Sequence, residues 1–338
     1  MAAVPGAHAH QHVADEGEPA DQHHRAPHVA RAQHLVDRVD ELGWRDPLGP
    51  CDASAVRATG TRPLLARALR DAYLEVFPSD GIEARLGCLP AGAFLAITCS
   101  PRRGIEATLD LAERLAKDRR LRLVPHVSAR LVRDEAHLRD VLSRLEELGV
   151  ESVFVPAGDV GRPAGRFVSA LELLRAMAEI DHRIADVGVT AYPEGHPLLP
   201  QTVLDAALAE KQALASYMVT QMCFDGAATA RWLARARAAG IVLPAWIGLP
   251  GVVERRKLLA TSLRIGVGES ARFLASKWEL AARLLGRRRY CPDDLLEALA
   301  EPVGDPALGV AGFHLYSFNC VEETERWRAN ALSGLGAA

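Results

Sequence analysis

The chain has 338 residues, 49% of them hydrophobic and 25% charged, with a formal net charge of -3 at pH 7. That length can bury a large core, either as a single α/β barrel or as one to two smaller domains. The near-neutral charge gives no electrostatic reason to expect nucleic acid or an anionic membrane as partner, which leaves small-molecule chemistry.

Residues 1 to about 60 are rich in Ala, His, Pro, Asp and Glu, show little apolar periodicity, and hold seven of the twelve histidines. They read as a disordered leader with one short helix around Val29 to Leu42. His8, His10, His12, His23 and His24 form either a metal-binding tract or a low-complexity tail that meets metal only adventitiously; the tail is the expectation, and no metal is assigned. The first residues lack the apolar core of a secretory signal, and no apolar run approaches the roughly 20 residues of a membrane helix. Cys51, Cys88, Cys99, Cys223, Cys291 and Cys320 contain no C-x-x-C pair. Neither a disulfide framework nor a zinc site is indicated, and a reducing cytoplasm fits.

From about residue 68 to the end at 338, short apolar runs alternate with longer helical patterns. Strands are predicted at Ala72 to Phe77, Ala93 to Thr98, Arg122 to Pro125, Ser152 to Pro156, Ala185 to Thr190, Tyr217 to Gln221, Val242 to Ile247 and Gly309 to Tyr316. Helices are predicted at Ile105 to Lys117, Glu135 to Leu148, Phe167 to Ile180, Val203 to Ala213 and Ala227 to Ala239, where Leu and Ala recur at three- and four-residue spacing. Gly149 and Gly240 stand where a helix C-cap belongs. About eight βα units over this length predict a single (βα)8 TIM barrel, with extra helices between Arg264 and Asp305 before the last strand; a doubly wound open sheet is the alternative. Polar residues at the ends of nearly every strand favour the barrel.

Glu75 lies inside the first apolar run, where an ionised carboxylate is costly unless paired. Burial raises a carboxyl pKa, so Glu75 is expected to hold a proton near neutrality and to deliver it as a general acid. The plain alternative is a strand-end glutamate paired with a neighbouring arginine. Asp159 ends the fourth strand as a hydrogen-bond acceptor or cation stabiliser, or as an ordinary turn aspartate. Gln221 ends the sixth with a donor and an acceptor together, as recognition of a heterocycle requires. Lys211 could meet a phosphate or simply be a solvated helix lysine. After the fifth strand, Ala191-Tyr-Pro-Glu-Gly-His-Pro197 packs an aromatic, a carboxylate and an imidazole between two prolines, which suits a ligand-facing loop. Gly266-Val-Gly268 is only a fragment of a dinucleotide fingerprint and reads as a turn.

Glu75-Val-Phe-Pro78, Pro125-His126, Gly158-Asp159, the 191–197 segment, Lys211, Thr220-Gln221 with Phe224-Asp225, and Phe313-His-Leu-Tyr-Ser-Phe-Asn319 recur in one order and spacing. Over about Tyr73 to Asn319 this pattern resembles the methylenetetrahydrofolate reductase family. The resemblance implies a cytoplasmic TIM-barrel oxidoreductase of one-carbon metabolism, supplying methionine biosynthesis, that reduces 5,10-methylenetetrahydrofolate to 5-methyltetrahydrofolate with NADH or NADPH. By position it makes Glu75 the general acid, Asp159 the stabiliser of the 5-iminium cation, and Gln221 the reader of the pterin edge, with Asn319 also on the substrate.

In most members FAD carries the hydride, and the resemblance places Thr98, His126, Tyr192, His196 and Lys211 on the flavin. Two departures fall on that side: Ala157-Gly-Asp159 replaces Arg-Gly-Asp, and Thr98-Cys-Ser-Pro101 replaces Thr-Tyr-Gly-Ala. The pattern looks like the flavin-independent branch, in which these positions would line a nicotinamide pocket; the same reaction through FAD is one alternative, and a non-catalytic pterin-binding barrel is the other. Cys320 stands where the common branch has an Arg near the substrate tail, and Arg255, Arg256 or Lys257 is expected to meet the tail carboxylate instead.

Overall fold

The computed structural model describes residues 60–99, 103–117, 119–196, 199–254, 257–258 and 289–337. The predicted leader, Arg255, Arg256, the Gly266–Gly268 turn and the first part of the extra helical stretch lie outside the described residues.

Eight parallel strands form one sheet: β1 (Tyr73–Val76), β2 (Phe94–Ile97), β3 (Arg122–Pro125), β4 (Ser152–Val155), β5 (Asp186–Ala191), β6 (Tyr217–Met222), β7 (Ala245–Pro250) and β10 (Val310–Tyr316). Between the last two, β8 (Val253–Glu254) and β9 (Arg289–Tyr290) make a short antiparallel pair. The order is β3-β2-β1-β10-β7-β6-β5-β4. Its two ends meet where Val127 N donates to Phe154 O at 2.8 Å and His126 bridges to Phe154, so the sheet curls into the expected barrel. The extra helices before β10 include Asp293–Ala298 and Ala300–Gly304.

Local chemistry sets the boundaries. Asp134, Ser169 and Asp225 each accept a backbone N–H three residues on, capping the helices Glu135–Glu147, Ala170–Ala178 and Gly226–Ala238. Gly149 and Gly240 take the left-handed conformation just past two of those helices, as predicted. The seventh strand starts three residues later than predicted. Val242 is 79% exposed, and Pro244 has no N–H to enter the ladder, so the apolar start of that run is a loop. Helices Arg62–Arg70 and Val321–Gly334, outside the predicted set, pack against each other and against the barrel. Cys88, Cys99, Cys223 and Cys320 are free thiols, whereas Cys291 is disulfide-bonded.

Side chains on a strand alternate between the helices outside and the lumen inside. The lower lumen is apolar. Tyr73 stacks on Trp246 with ring centroids 4.3 Å apart and meets the edge of Phe94 at 4.8 Å, and Val124, Phe154, Tyr217 and Val219 complete the plug. Burying each large ring contributes about 1.5–3 kcal/mol. Two residues beyond Tyr73, on the same inward face, stands Glu75.

Candidate active site

Glu75 is held from two sides at the C-terminal end of β1. Its main-chain carbonyl accepts the Ser317 hydroxyl at 2.5 Å, and its carboxylate Oε2 lies 3.0 Å from His314 Nε2. A second imidazole, His126 Nε2, lies 3.8 Å from the same oxygen, beyond hydrogen-bond reach. Burial pushes the Glu75 carboxyl up, but the hydrogen bond from His314 and the charges of His126 and His314 outweigh it, and the net displacement is downward. This corrects the expectation that burial alone would hold a proton on Glu75. His126 is 4% exposed, and burial pushes it down to about 4, against the pull of Glu75. It is therefore neutral near pH 7 and lends no positive charge there, which leaves His314 as the partner that matters. The three donor atoms lie within 4.8 Å of one another, but Glu75 and His314 stand at ordinary hydrogen-bond distance.

Gln221 is aimed by a β-bulge. The pairing of β6 with β7 slips between Val219 and Met222, and an extra residue in a strand bends it and redirects its side chains. Three contacts fix the bulge: Thr220 Oγ1 accepts from Gly248 N at 2.8 Å, the Tyr316 phenol donates to Thr220 O at 2.9 Å, and the Cys223 thiol donates to Gln221 O at 3.2 Å. Gly248 is required here, since a Cβ would stand 2.4 Å from Gln221 O and 2.7 Å from Tyr316 Cε2. The Gln221 amide oxygen is itself buried without a hydrogen-bond partner, a costly arrangement for a folded protein and an ordinary one for a ligand site.

Asp159 is exposed after β4, and its charge acts on Tyr192 and His196, whose rings meet edge to face at 5.5 Å. Burial pushes the Tyr192 phenol up and the His196 imidazole down. These three form a group on the β4–β5 side, apart from His126, which sits with Glu75. Thr98 is half-buried at the end of β2, its hydroxyl on Cys99 O, while the Cys99 thiol donates to His126 O at 2.9 Å. Lys211 is 6% exposed and turned inward, its ammonium donating to Thr190 O and Oγ1 at 3.2 and 3.3 Å, and burial lowers its pKa to about 8. Glu194, the carboxylate of the proline-bounded segment, accepts the backbone N–H of Phe224 at 2.6 Å and of Asp225 at 2.8 Å. It ties the β5 loop to the end of β6.

Asn319 has a similar structural duty. Its amide accepts from Phe77 N and donates to Phe77 O and Ser79 Oγ, all at 2.9–3.0 Å, which straps the end of β10 to the end of β1. Phe318 and Asn319 both take positive φ, 52° and 60°, a strained pair held by these bonds. Beside them the Lys257 ammonium donates to Phe318 O at 2.6 Å and lies 3.9 Å from Cys320 Sγ, while Arg85 donates to Asn319 O at 2.8 Å. Two cations thus border Cys320, of which only Lys257 was expected. His314 and Tyr316 were missed as individual residues, though both lie in the Phe313–Asn319 motif, and an imidazole inside an apolar strand is the same signal that singled out Glu75.

Among the described residues no helix is long and apolar enough to cross a membrane. In fold, the chain is similar to an uncharacterized protein from Clostridium thermocellum that binds two copies of 5-methyl-5,6,7,8-tetrahydrofolic acid. The TM-score is 0.56 at 12% identity, over 80% of this chain and 98% of that one. At that identity the likeness bears on the barrel alone. Residues 85–260, just over half of the chain, match the methylenetetrahydrofolate reductase family, a span that runs from before β2 to beyond β7 and takes in Asp159, Tyr192, His196, Lys211 and Gln221. The order of strands and mouth residues that suggested a kinship thus rests on a direct match, and the chain belongs to the methylenetetrahydrofolate reductase family.

Proposed function

We propose that the protein reduces 5,10-methylenetetrahydrofolate to 5-methyltetrahydrofolate with a hydride taken directly from NADH or NADPH. The observation that carries this reading is the convergence of three complementary groups at one barrel mouth. A carboxylate paired with an imidazole ends β1, an exposed carboxylate follows β4, and a carboxamide with a partnerless buried oxygen ends β6. A proton delivered by Glu75 to the leaving nitrogen of the imidazolidine ring opens it to a 5-iminium cation. The Asp159 carboxylate stabilises that cation, and Gln221 reads the pterin edge. Hydride from the nicotinamide then adds to the iminium carbon, giving the methyl group and the oxidised nucleotide, and requires the two ligands in near-attack geometry. The folate bound by the similarly folded Clostridium thermocellum protein belongs to the product class of this reaction. Of the three cations expected to meet the carboxylate of the substrate tail, Lys257 lies beside Cys320, and we assign that contact to it.

Two contacts support the direct route over one through a flavin. Lys211, which would have to offer its ammonium to a diphosphate, is buried on Thr190, and Cys99 is folded onto His126 O. Tyr192, His196 and Thr98 remain to line the nicotinamide side. The test is anaerobic turnover with NADH deuterated at the transferred C4 position. Direct transfer carries the deuterium into the product methyl group in ordinary water, in a protein with no flavin absorption. A yellow protein whose product has lost the label by exchange at a flavin nitrogen would defeat the direct route. Absence of any methylenetetrahydrofolate-dependent NADH or NADPH oxidation would favour a pterin-binding barrel without turnover. Glu75→Gln keeps the shape and removes the acid, so turnover should fall by about 10² or more.

A further inference from the structure

Glu75 is asked to act as an acid, yet its carboxylate stands 3.0 Å from the His314 imidazole, which draws its proton away. The geometry points to His314 as the reservoir of the proton that Glu75 delivers: Nε2 and Oε2, 3.0 Å apart, hold one proton between them and release it as a pair. This rests on the reductase reading above. At rest the pair shares one proton along the 3.0 Å line, with the Glu75 carboxylate the member held ionised. As the ring opens, the His314 Nε2–H bond breaks and its proton passes to Glu75 Oε2, and the O–H bond so formed breaks in turn as an N–H bond forms on the leaving nitrogen. The pair ends as neutral imidazole and carboxylate, and solvent returns one proton when product leaves. No redox partner is needed.

The surroundings single out His314. From β3, His126 faces the same oxygen at 3.8 Å, is held neutral by burial, and has its Nε2 without a hydrogen-bond partner, so it closes that side without exchanging a proton. From β4 comes the apolar ring of Phe154, 6.5 Å from the His314 ring. Tyr73 on β1 and Tyr316 on β10 lie 6.1 and 4.8 Å from that ring; burial raises both phenols, and the Tyr316 hydroxyl is already donated to Thr220 O. Nothing that titrates near neutrality on these elements competes with the pair. Two strongly interacting groups of this kind titrate as a unit, with apparent pKa values that belong to the pair.

His314→Gln tests the assignment, because the amide can still donate to Glu75 but cannot store a proton. A carboxyl ordinarily binds its proton about two units more weakly than an imidazole, and burial returns part of that difference. The alkaline limb of kcat should therefore move at least about one unit to lower pH, with the acidic plateau within about threefold of wild type. A uniform loss at every pH, or an unmoved limb, would mean that His314 only supports the fold and would overturn the proposal. A second measurement needs neither turnover nor that variant: infrared difference spectra of wild type against Glu75→Gln at pH 7. The pair predicts no carbonyl band from a protonated Glu75 carboxyl in the free protein, and such a band would refute it. One equivalent of zinc or iron in purified wild type, missing from His314→Gln, would refute it as well, since the three donors would then be holding a cation. If NADH oxidation is absent while the infrared result stands, it is the reductase reading that has failed.

Discussion

Glu194 sits in the most distinctive segment of the sequence, yet its contacts make it a clamp. Its Oε1 accepts the N–H groups of Phe224 and Asp225 at 2.6 and 2.8 Å, just after the bulge that aims Gln221. Hydrogen bonds to a charged acceptor contribute roughly 1.5–3 kcal/mol each. Phe224 and Asp225 are half-buried, so water would satisfy part of what truncation exposes, and the lower end applies to each. Glu194→Ala should cost about 3 kcal/mol. For a domain of this size each kcal/mol is roughly 2–4 °C of melting temperature, so the variant should melt about 6–12 °C below wild type. Glu194→Gln keeps an acceptor oxygen and should recover at least half of that. Melts at fixed pH and concentration, run beside kcat and KM, separate stability from chemistry. The clamp predicts a raised KM for the folate, through a displaced Gln221, with kcat little changed. If Glu194→Ala melts within a degree of wild type while kcat falls a hundredfold, Glu194 acts on a reactant and the reasoning is wrong.

Gly248→Ala pushes a methyl against Gln221 O and the Tyr316 ring, and the nearest atom, Gln221 O, is main chain and cannot swing aside. About 1–3 kcal/mol of stability should be lost in denaturant melts, with folate affinity falling in parallel. Lys211 has a folded pKa of about 8, below its ordinary 10.5. Between those two values the unfolded chain holds a proton that the folded chain lacks, so this contribution rises with pH through the window and is absent below it. Lys211→Met should therefore gain up to about 3 kcal/mol over wild type at pH 7, and the gap should close between pH 8 and 10; a gap constant across those melts would contradict the buried-amine account. Lys257→Glu should raise the KM for folate by about fivefold, the scale of an exposed charge contact, with kcat unchanged, and an unmoved KM would remove Lys257 from the substrate tail.

The alternation of apolar runs and helical patterns carried the barrel, because inward and outward faces of a parallel strand must both be filled and the intervening helices need an apolar stripe. It located seven of the eight strands closely and missed the start of β7, where an apolar Val242 and Leu243 precede a proline that cannot pair. The site was legible as positions more than as roles. Glu75 was found because a carboxylate in an apolar strand is conspicuous, but its partner His314 stands 239 residues away on the adjacent strand β10, and no local pattern reports a partner so distant in sequence. Asn319 and Glu194 stand in motifs as polar as any ligand-binding loop. Only the hydrogen bonds reveal that their side chains serve the backbone.

The placement of the two carboxylates argues for different duties. In the ring of strands β1 stands opposite β5 and three strands from β4, so Glu75 and Asp159 rise from separate parts of the same rim. Glu75 is 19% exposed and bound to an imidazole, whereas Asp159 is exposed to solvent and acts on Tyr192 and His196. A reaction that first consumes a proton and then carries a cation needs one group that can release the proton and another that stays charged, and contrasting surroundings are how a fold assigns such roles to like side chains. Tyr316 spans the two halves: its burial-raised phenol feels Glu75, Cys223 and Tyr192, and its hydroxyl fixes the bulge of Gln221. Strapping β10 to β1 through Ser317 and Asn319 while bracing β6 through Tyr316 lets one strand set the distance between Glu75 and Gln221.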